Sequence, residues 1–405
     1  MTDALPPGPG PLAGILVADF SRVLAGPLAT MLLGDLGATV VKVEHPRGDD
    51  TRRWGPPFAG EESTYYLSVN RNKRSAILDL ATADGCAAAR RLAERATVLV
   101  ENFRPGRLRG FGLAYGDLVP ANPGLVYCSI SGFGGEPPGA DLTGYDFVVQ
   151  AMSGLMGVTG PSGGPPYKVG VAVVDVLAGL YATIGVLAAL DARRTTGRGQ
   201  LVEVSLLGSA LASLVNQASA YLNAGVVPEP MGNRHPSITP YETLSAADGP
   251  LAVAVGNDGQ FAALCAALEL NGMPADPRFA TNAARVAHRH NLVEQLEQRL
   301  GTRPVAHWVA GLRAAGIACG PVNDIAAAFE QAERLGLSPR VTQAAGNRQY
   351  TTVANPLSLS ASPVRYRRPP PALGADTAEI LAWLRRDDRS DLDDLTADHH
   401  GTKER

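Results

Sequence analysis

The sequence predicts an α/β protein: a large domain built on a doubly wound, mainly parallel sheet, together with a smaller α+β domain. Two features carry this reading. In the first half, short apolar runs rich in β-branched residues alternate with helical segments, a pattern that favours parallel pairing through βαβ units. Beyond a proline-containing linker, a strand run is followed by several helices patterned with Arg and Glu, which marks a second, smaller unit.

Residues 14–20 (GILVADF) read as the first strand, 28–36 as a helix and 39–44 (TVVKVE) as the second strand. Further strands fall at 75–80 (SAILDL), 97–100 (TVLV) and 125–130 (LVYCSI), with the Ala- and Arg-rich segment 85–96 as an intervening helix. The first strand exits through Ser21-Arg22-Val23-Leu24-Ala25-Gly26-Pro27. No G-x-G-x-x-G opens the helix that follows, so a dinucleotide fingerprint is excluded. After an apolar stretch at 171–190 come a strand at 201–205 and a long Ala/Leu/Ser helix running to about 223. Residues 225–230 (GVVPEP) read as a linker and 251–255 as a strand. Cys319-Gly320-Pro321-Val322 reads as a turn. Short β-like runs at 340–371 and a terminal helix around 377–386 close the chain.

Asp175 is the lone carboxylate inside the stretch 171–190 (VAVVDVLAGLYATIGVLAAL), and no other charge in the chain reads as so costly to place. An unpaired buried carboxylate costs several kcal/mol, so such a group has a partner, a raised pKa or a chemical task. Two plain alternatives stand beside catalysis: an Asp that caps the helix, or one that pairs with a cation elsewhere. About twenty apolar residues also match a membrane span. Against that reading stand the Gly and Ala content, a mean hydropathy of about zero for the chain, and a start, MTDALPPGPG, without basic flanks. A core helix is the better fit, ended by Arg193, Arg194 and Thr195-Thr196-Gly197. Ala172, Asp175, Gly179, Ala182 and Gly185 or Val186 share one face, narrow enough for a bulky group to approach.

A balance of 36 basic and 39 acidic residues disfavours nucleic-acid binding. Cys86, Cys128, Cys265 and Cys319 are scattered without metal-ligand spacing, so neither zinc nor a disulfide is expected and a cytoplasmic location is. His288 and His290 fall in a polar helix and His399 and His400 in a charged tail, which leaves His45 and His235 as the histidines of interest.

Several strings together resemble the class III CoA-transferases over nearly the whole chain. They are residues 19–27 (DFSRVLAGP), 37–44 (GATVVKVE), 72–75 (NKRS), 101–106 (ENFRPG), 144–146 (GYD), the Asp175 helix, 196–200 (TGRGQ) and 319–321 (CGP). The resemblance implies that Asp175 is the nucleophile of a CoA transfer from an acyl-CoA such as succinyl-CoA to a free acid, through an aspartyl anhydride and an aspartyl-CoA thioester. It also implies CoA as substrate rather than as a tightly bound cofactor, with no metal and no membrane partner. The implied assembly is an interlocked homodimer. Residues 1–225 would form the N-terminal part of a Rossmann-like large domain, 226–320 the small domain, and 321–405 a segment returning to the large domain.

By the same resemblance Val23, Leu24 and Ala25 border CoA, His45 lies near its phosphates, and Leu78, Asn102 and Phe103 surround adenine and pantetheine. Ala81, Gly110 and His45 depart from the Lys, Arg and Arg frequent in relatives, which shifts phosphate binding to Arg47, Arg52, Arg107 or Arg109. Tyr145 and Asp146 are candidates for the acyl site, or a core tyrosine bonded to its neighbour. Residues 232–241 match a loop of the small domain and are similar to the loop of relatives acting on succinate and glutarate; Arg234 or His235 there would hold a distal carboxylate by a charge-assisted hydrogen bond, or be a solvated loop charge. The racemase branch of the family carries His where this chain has Tyr145, so racemization is the runner-up. A non-catalytic CoA-binding protein is the rival from another class.

Overall fold

The structure, a computed structural model, describes residues 10–346 and 348–386. His399 and His400 lie outside the described residues. The chain divides into two compact units, one formed by residues up to 155, 168–224 and those from 338 on, the other by 156–167 and 225–337.

The first unit is built on six strands: β1 (Leu16–Asp19), β2 (Thr39–Glu44), β3 (Lys73–Ile77), β4 (Val98–Glu101), β5 (Val126–Ser131) and β6 (Leu201–Ser205). Their order is β3-β2-β1-β4-β5-β6 and every pairing is parallel, as the alternation of runs implies. The sequence of strands reverses direction between β1 and β4. At such a switch point the loops leaving the two strands part, and a crevice opens outside their carboxyl ends.

Side chains alternate across the sheet with period two. Val17, Val98, Val100, Val126, Cys128 and Ile130 face one side, and Leu16, Ala18, Val41, Leu99 and Tyr127 the other. Both faces are covered, which is why the strands read as unbroken apolar runs. Helix α1 (Ala25–Asp35) packs Ala29 and Leu33 on the first face; α2 (Ala83–Arg95) packs Ala88 and Leu92 on the second. The C-terminal helix (Thr377–Leu384) joins the second face through Ile380, Trp383 and Leu384. Each fully buried Leu or Ile contributes roughly 1.5–3 kcal/mol relative to exposure. Asp376 accepts from the Ser75 amide at 2.8 Å, tying this returning segment to β3.

Helix α3 (Asp146–Met152) precedes α4 (Val173–Thr196), which packs Ala178, Ala182 and Val186 into the first face. Gly197 ends α4 at φ +70°, a left-handed position that suits glycine. Among the described residues α4 alone is long and apolar enough to cross a membrane.

Four elements differ from the sequence expectation. Helix α1 begins at Ala25, earlier than position 28, because Pro27 falls in its first turn, where no amide is needed. The single helix expected after β6 is two, α5 (Leu206–Ser213) and α6 (Val215–Ala224), since Val215 at φ +40° cannot continue an α-helix. In the second unit an unread strand β7 (Tyr241–Ala246) forms a hairpin with β8 (Gly249–Ala254). The expected turn at 319–322 contains an edge strand instead, β9 (Ala318–Pro321), where proline is tolerated.

Candidate active site

Asp175 occupies the first turn of α4, one residue after the buried Val174. Neither plain alternative for it holds. The cap of α4 is Asp146, whose Oδ1 accepts from the amides of Val174 at 2.8 Å and Asp175 at 3.3 Å, while its Oδ2 accepts from Gln150 Nε2 at 2.7 Å. Among the described residues no cation bears on Asp175. Burial, and then the Asp146 carboxylate, push its pKa up to about 7.

Among the small residues sharing its face, Gly179 serves the packing of the helix. A Cβ on Gly179 would lie 2.7 Å from the Ala25 carbonyl oxygen, so glycine there lets α4 close on the start of α1. That contact brings Asp175 beside the loop leaving β1. Asp175 lines a cavity of about 190 Å³ with Val23, Leu24, Ala25, Asn102, Phe103 and Tyr145, among others. An adjoining cavity of about 330 Å³ shares Arg22, Asp50 and Phe103 with it and takes in His45, Leu78, Arg47 and Arg107. Both lie at the switch point between β1 and β4.

The loop from β1 to α1 is held at Ser21, Arg22 and Val23. Ser21 donates its amide to Asp19 at 2.9 Å, and its carbonyl accepts from Lys42 Nζ at 2.9 Å. Asn102 Nδ2 donates to the Arg22 carbonyl at 2.7 Å, and Asn102 Oδ1 accepts from the Arg22 amide at 2.9 Å. The Val23 amide faces both oxygens of Asp49, at 3.3 and 3.4 Å. Asn102 thus acts on the wall of the site through backbone.

Beneath this loop lies a cluster the sequence reading missed, and it overturns the expectation that Asp175 is the costliest charge. Lys73 pairs with Asp19 at 3.0 Å and Lys42 with Asp49 at 2.9 Å, all four almost wholly buried. Despite desolvation, their lysine partners hold both carboxylates below the usual range. Burial brings Lys73 down to about 8. Lys42 sits inside the apolar run TVVKVE, the same signal that singled out Asp175. Glu101, at the end of β4, was missed as well; burial pushes it up to about 7 although Ser129 and the Phe103 amide bond to it.

Other expected residues are placed differently. Arg109 is exposed and lines neither cavity, whereas Arg107, two residues earlier in the same turn, lines the larger one. Arg52 is committed to Glu44 at 2.7 Å, to Tyr66 and to the Pro371 carbonyl, which removes it from the phosphate candidates. Tyr145 is 60% exposed, so it is no core residue, and Asp146 is occupied by α4 rather than by its hydroxyl. Arg234 and His235 belong to the second unit. There Arg234 lies 3.8 Å from Glu242, and the His235 amide donates to the Tyr241 carbonyl at 3.0 Å.

The chain matches the model of CoA-transferase family III over residues 12–377. It is 43% identical to the succinate–glutarate CoA-transferase of Agrobacterium fabrum, covering 96% of this chain and 99% of that protein. It is 40% identical to the human succinyl-CoA:glutarate CoA-transferase, over 97% and 91% of the two chains. A crystal structure of a CAIB/BAIF family protein from Brucella suis superposes with a TM-score of 0.85 at 41% identity, covering 93% of this chain and all of that one. These likenesses exclude the non-catalytic reading and do not favour racemization. From the first strand to the C-terminal helix, the chain belongs to CoA-transferase family III and is a CoA-transferase.

Proposed function

We propose that this enzyme moves CoA from succinyl-CoA to a second dicarboxylic acid of glutarate size, with Asp175 as the transient carrier. One observation carries the proposal: a carboxylate without a cation among the described residues lines the same cavity as the Val23–Ala25 loop and Asn102–Phe103. Its dianionic neighbourhood with Asp146 and its burial make the anion costly, and acylation relieves that cost because the charge leaves with the displaced group.

Each step exchanges one anion for another. An Asp175 oxygen attacks the thioester carbonyl carbon, the C–S bond breaks, and CoA leaves as thiolate from a mixed anhydride. The thiolate then attacks the Asp175 carbonyl, the C–O bond breaks, and succinate departs from an aspartyl-CoA thioester. The acceptor carboxylate attacks that thioester and expels the thiolate, which attacks the acceptor carbonyl and frees Asp175. No net proton moves. Serine would discard the activation as an ordinary ester; Asp175 retains it. Water would hydrolyse either intermediate, and Leu24, Ala25, Ile130 and Leu206 give the cavity dry walls. No side chain caps α1, so the first amides of that helix are the proposed donors to the oxyanion.

In this reading the larger cavity takes the nucleotide end of CoA, with Arg47 and Arg107 as phosphate partners and His45 beside them. Arg234 or His235 takes the distal carboxylate of the acid. The interlocked homodimer is part of the same proposal. It is supported by exposed apolar side chains on α4 to α6, among them Ile184, Val215 and Leu222, which is 76% exposed. The test is CoA exchange between labelled succinyl-CoA and a panel of acids. Glutarate is expected among the acceptors and Asp175→Asn is expected to abolish exchange; a fully active Asp175→Asn enzyme would refute the carrier role.

A further inference from the structure

Val23 stands at φ +71°, a left-handed conformation that a β-branched residue adopts only under compulsion. Among the described non-glycine residues with positive φ, it is the one that lines the cavity of Asp175. What compels it is visible. Its amide faces both oxygens of Asp49, and Asp49 is itself fixed by Lys42 at 2.9 Å and by the amide and hydroxyl of Thr51 at 3.0 and 2.8 Å. Lys42 also holds the Ser21 carbonyl, two residues before Val23. The turn is tight as well as strained, since a Cβ on Gly26 would lie 2.2 Å from that of Ser21.

Asp49 and Lys42 line the larger cavity, whereas Val23 and its successors Leu24 and Ala25 line the smaller one with Asp175. A buried ion pair of this kind is weak evidence for stability, because desolvation offsets most of its attraction. Its retention beside a strained, cavity-lining turn calls for a geometric role. We infer that Asp49, held by Lys42, is a positioning residue for the Asp175 reaction: it keeps Val23 left-handed and so sets the wall from Val23 to Ala25 beside the nucleophile. The inference rests on Asp175 being the carrier. Its force is that the group setting the reacting geometry touches neither thioester nor acid.

The test removes the pair without leaving a buried charge. Lys42→Met with Asp49→Leu replaces both ions by apolar groups of similar size and leaves neither charge unpaired, while the Val23 and Thr51 amides and the Ser21 carbonyl lose their partners, so folding is followed by the melting temperature. The expected result is a kcat for exchange, read at saturating succinyl-CoA, reduced about 10- to 100-fold. The deciding variant adds Val23→Gly to the double substitution, since glycine enters the left-handed region without strain. It should recover about tenfold in kcat without raising the melting temperature, a recovery that a merely structural pair would not produce. An unchanged kcat in the double variant, or no recovery with glycine, overturns the inference. Asp175→Asn in the same assay separates the two claims. If it is active, the carrier reading fails and takes this one with it; if it is inactive while the double variant is fully active, only the role of Asp49 fails.

Discussion

A carboxylate with its pKa raised to about 7 is half ionised in neutral buffer, so Asp175 should reveal itself by titration. In the proposed mechanism only the anion attacks, and kcat/KM for the acyl-CoA should therefore rise with pH and level off above about 7, as a rate profile from pH 5 to 9 would show. Asp146→Asn keeps an oxygen for the amides of α4 but removes the like charge, so the same profile should move to lower pH with little loss of stability. Linkage gives the sign for folding. The folded pKa of Asp175 is raised, so its anion costs stability, absent below the unfolded value near 4 and complete above about 7. Asp175→Asn should consequently stabilise the fold at pH 8 relative to pH 4, by on the order of 1–3 kcal/mol in chemical denaturation. Asp175 was legible because a carboxylate among twenty apolar residues has few explanations. Lys42 gave the same signal within TVVKVE but passed as part of an ordinary β-rich strand, and its partner Asp49 lies in a polar segment where nothing local marks it.

Helix α4 carries Asp175, the proposed nucleophile, and two contacts aim it: the Asp146 cap at its start and the closure of Gly179 on the Ala25 carbonyl. Gly179→Val would push α4 off α1, costing about 1–3 kcal/mol in unfolding experiments and a larger share of kcat than of CoA affinity. Asp146→Ala strips two amides of their acceptor and should cost about 0.5–2 kcal/mol in addition to its effect on the pH profile. The strands of the main sheet were readable since both faces are buried and each run is apolar. The break between α5 and α6 was not, because the left-handed Val215 has no signature in a sequence of good helix formers. Strand β7 was missed although the two-residue turn Ala247-Asp248 closes its hairpin, its residues being too polar to stand out from the preceding loop.

For the molecule as a whole, the strand order places the two cavities at the switch point, and the C-terminal helix seals the opposite face of the sheet over Leu92 and Leu99. Alternation of elements foretold a doubly wound sheet, but the burial of Arg71 against Asp35, Thr352 and the Val353 carbonyl joins segments some 280 residues apart, which no local pattern could announce. The exposed apolar side chains of α4 to α6 make a dimer the expected species in light scattering, and Ile184→Asp with Leu222→Asp should weaken it. The central claim concerns what the protein carries during turnover. Enzyme mixed with succinyl-CoA, quenched with hydroxylamine and digested for mass spectrometry should yield a hydroxamate on Asp175 and on no other carboxylate; full turnover with Asp175 unmodified throughout would contradict the account.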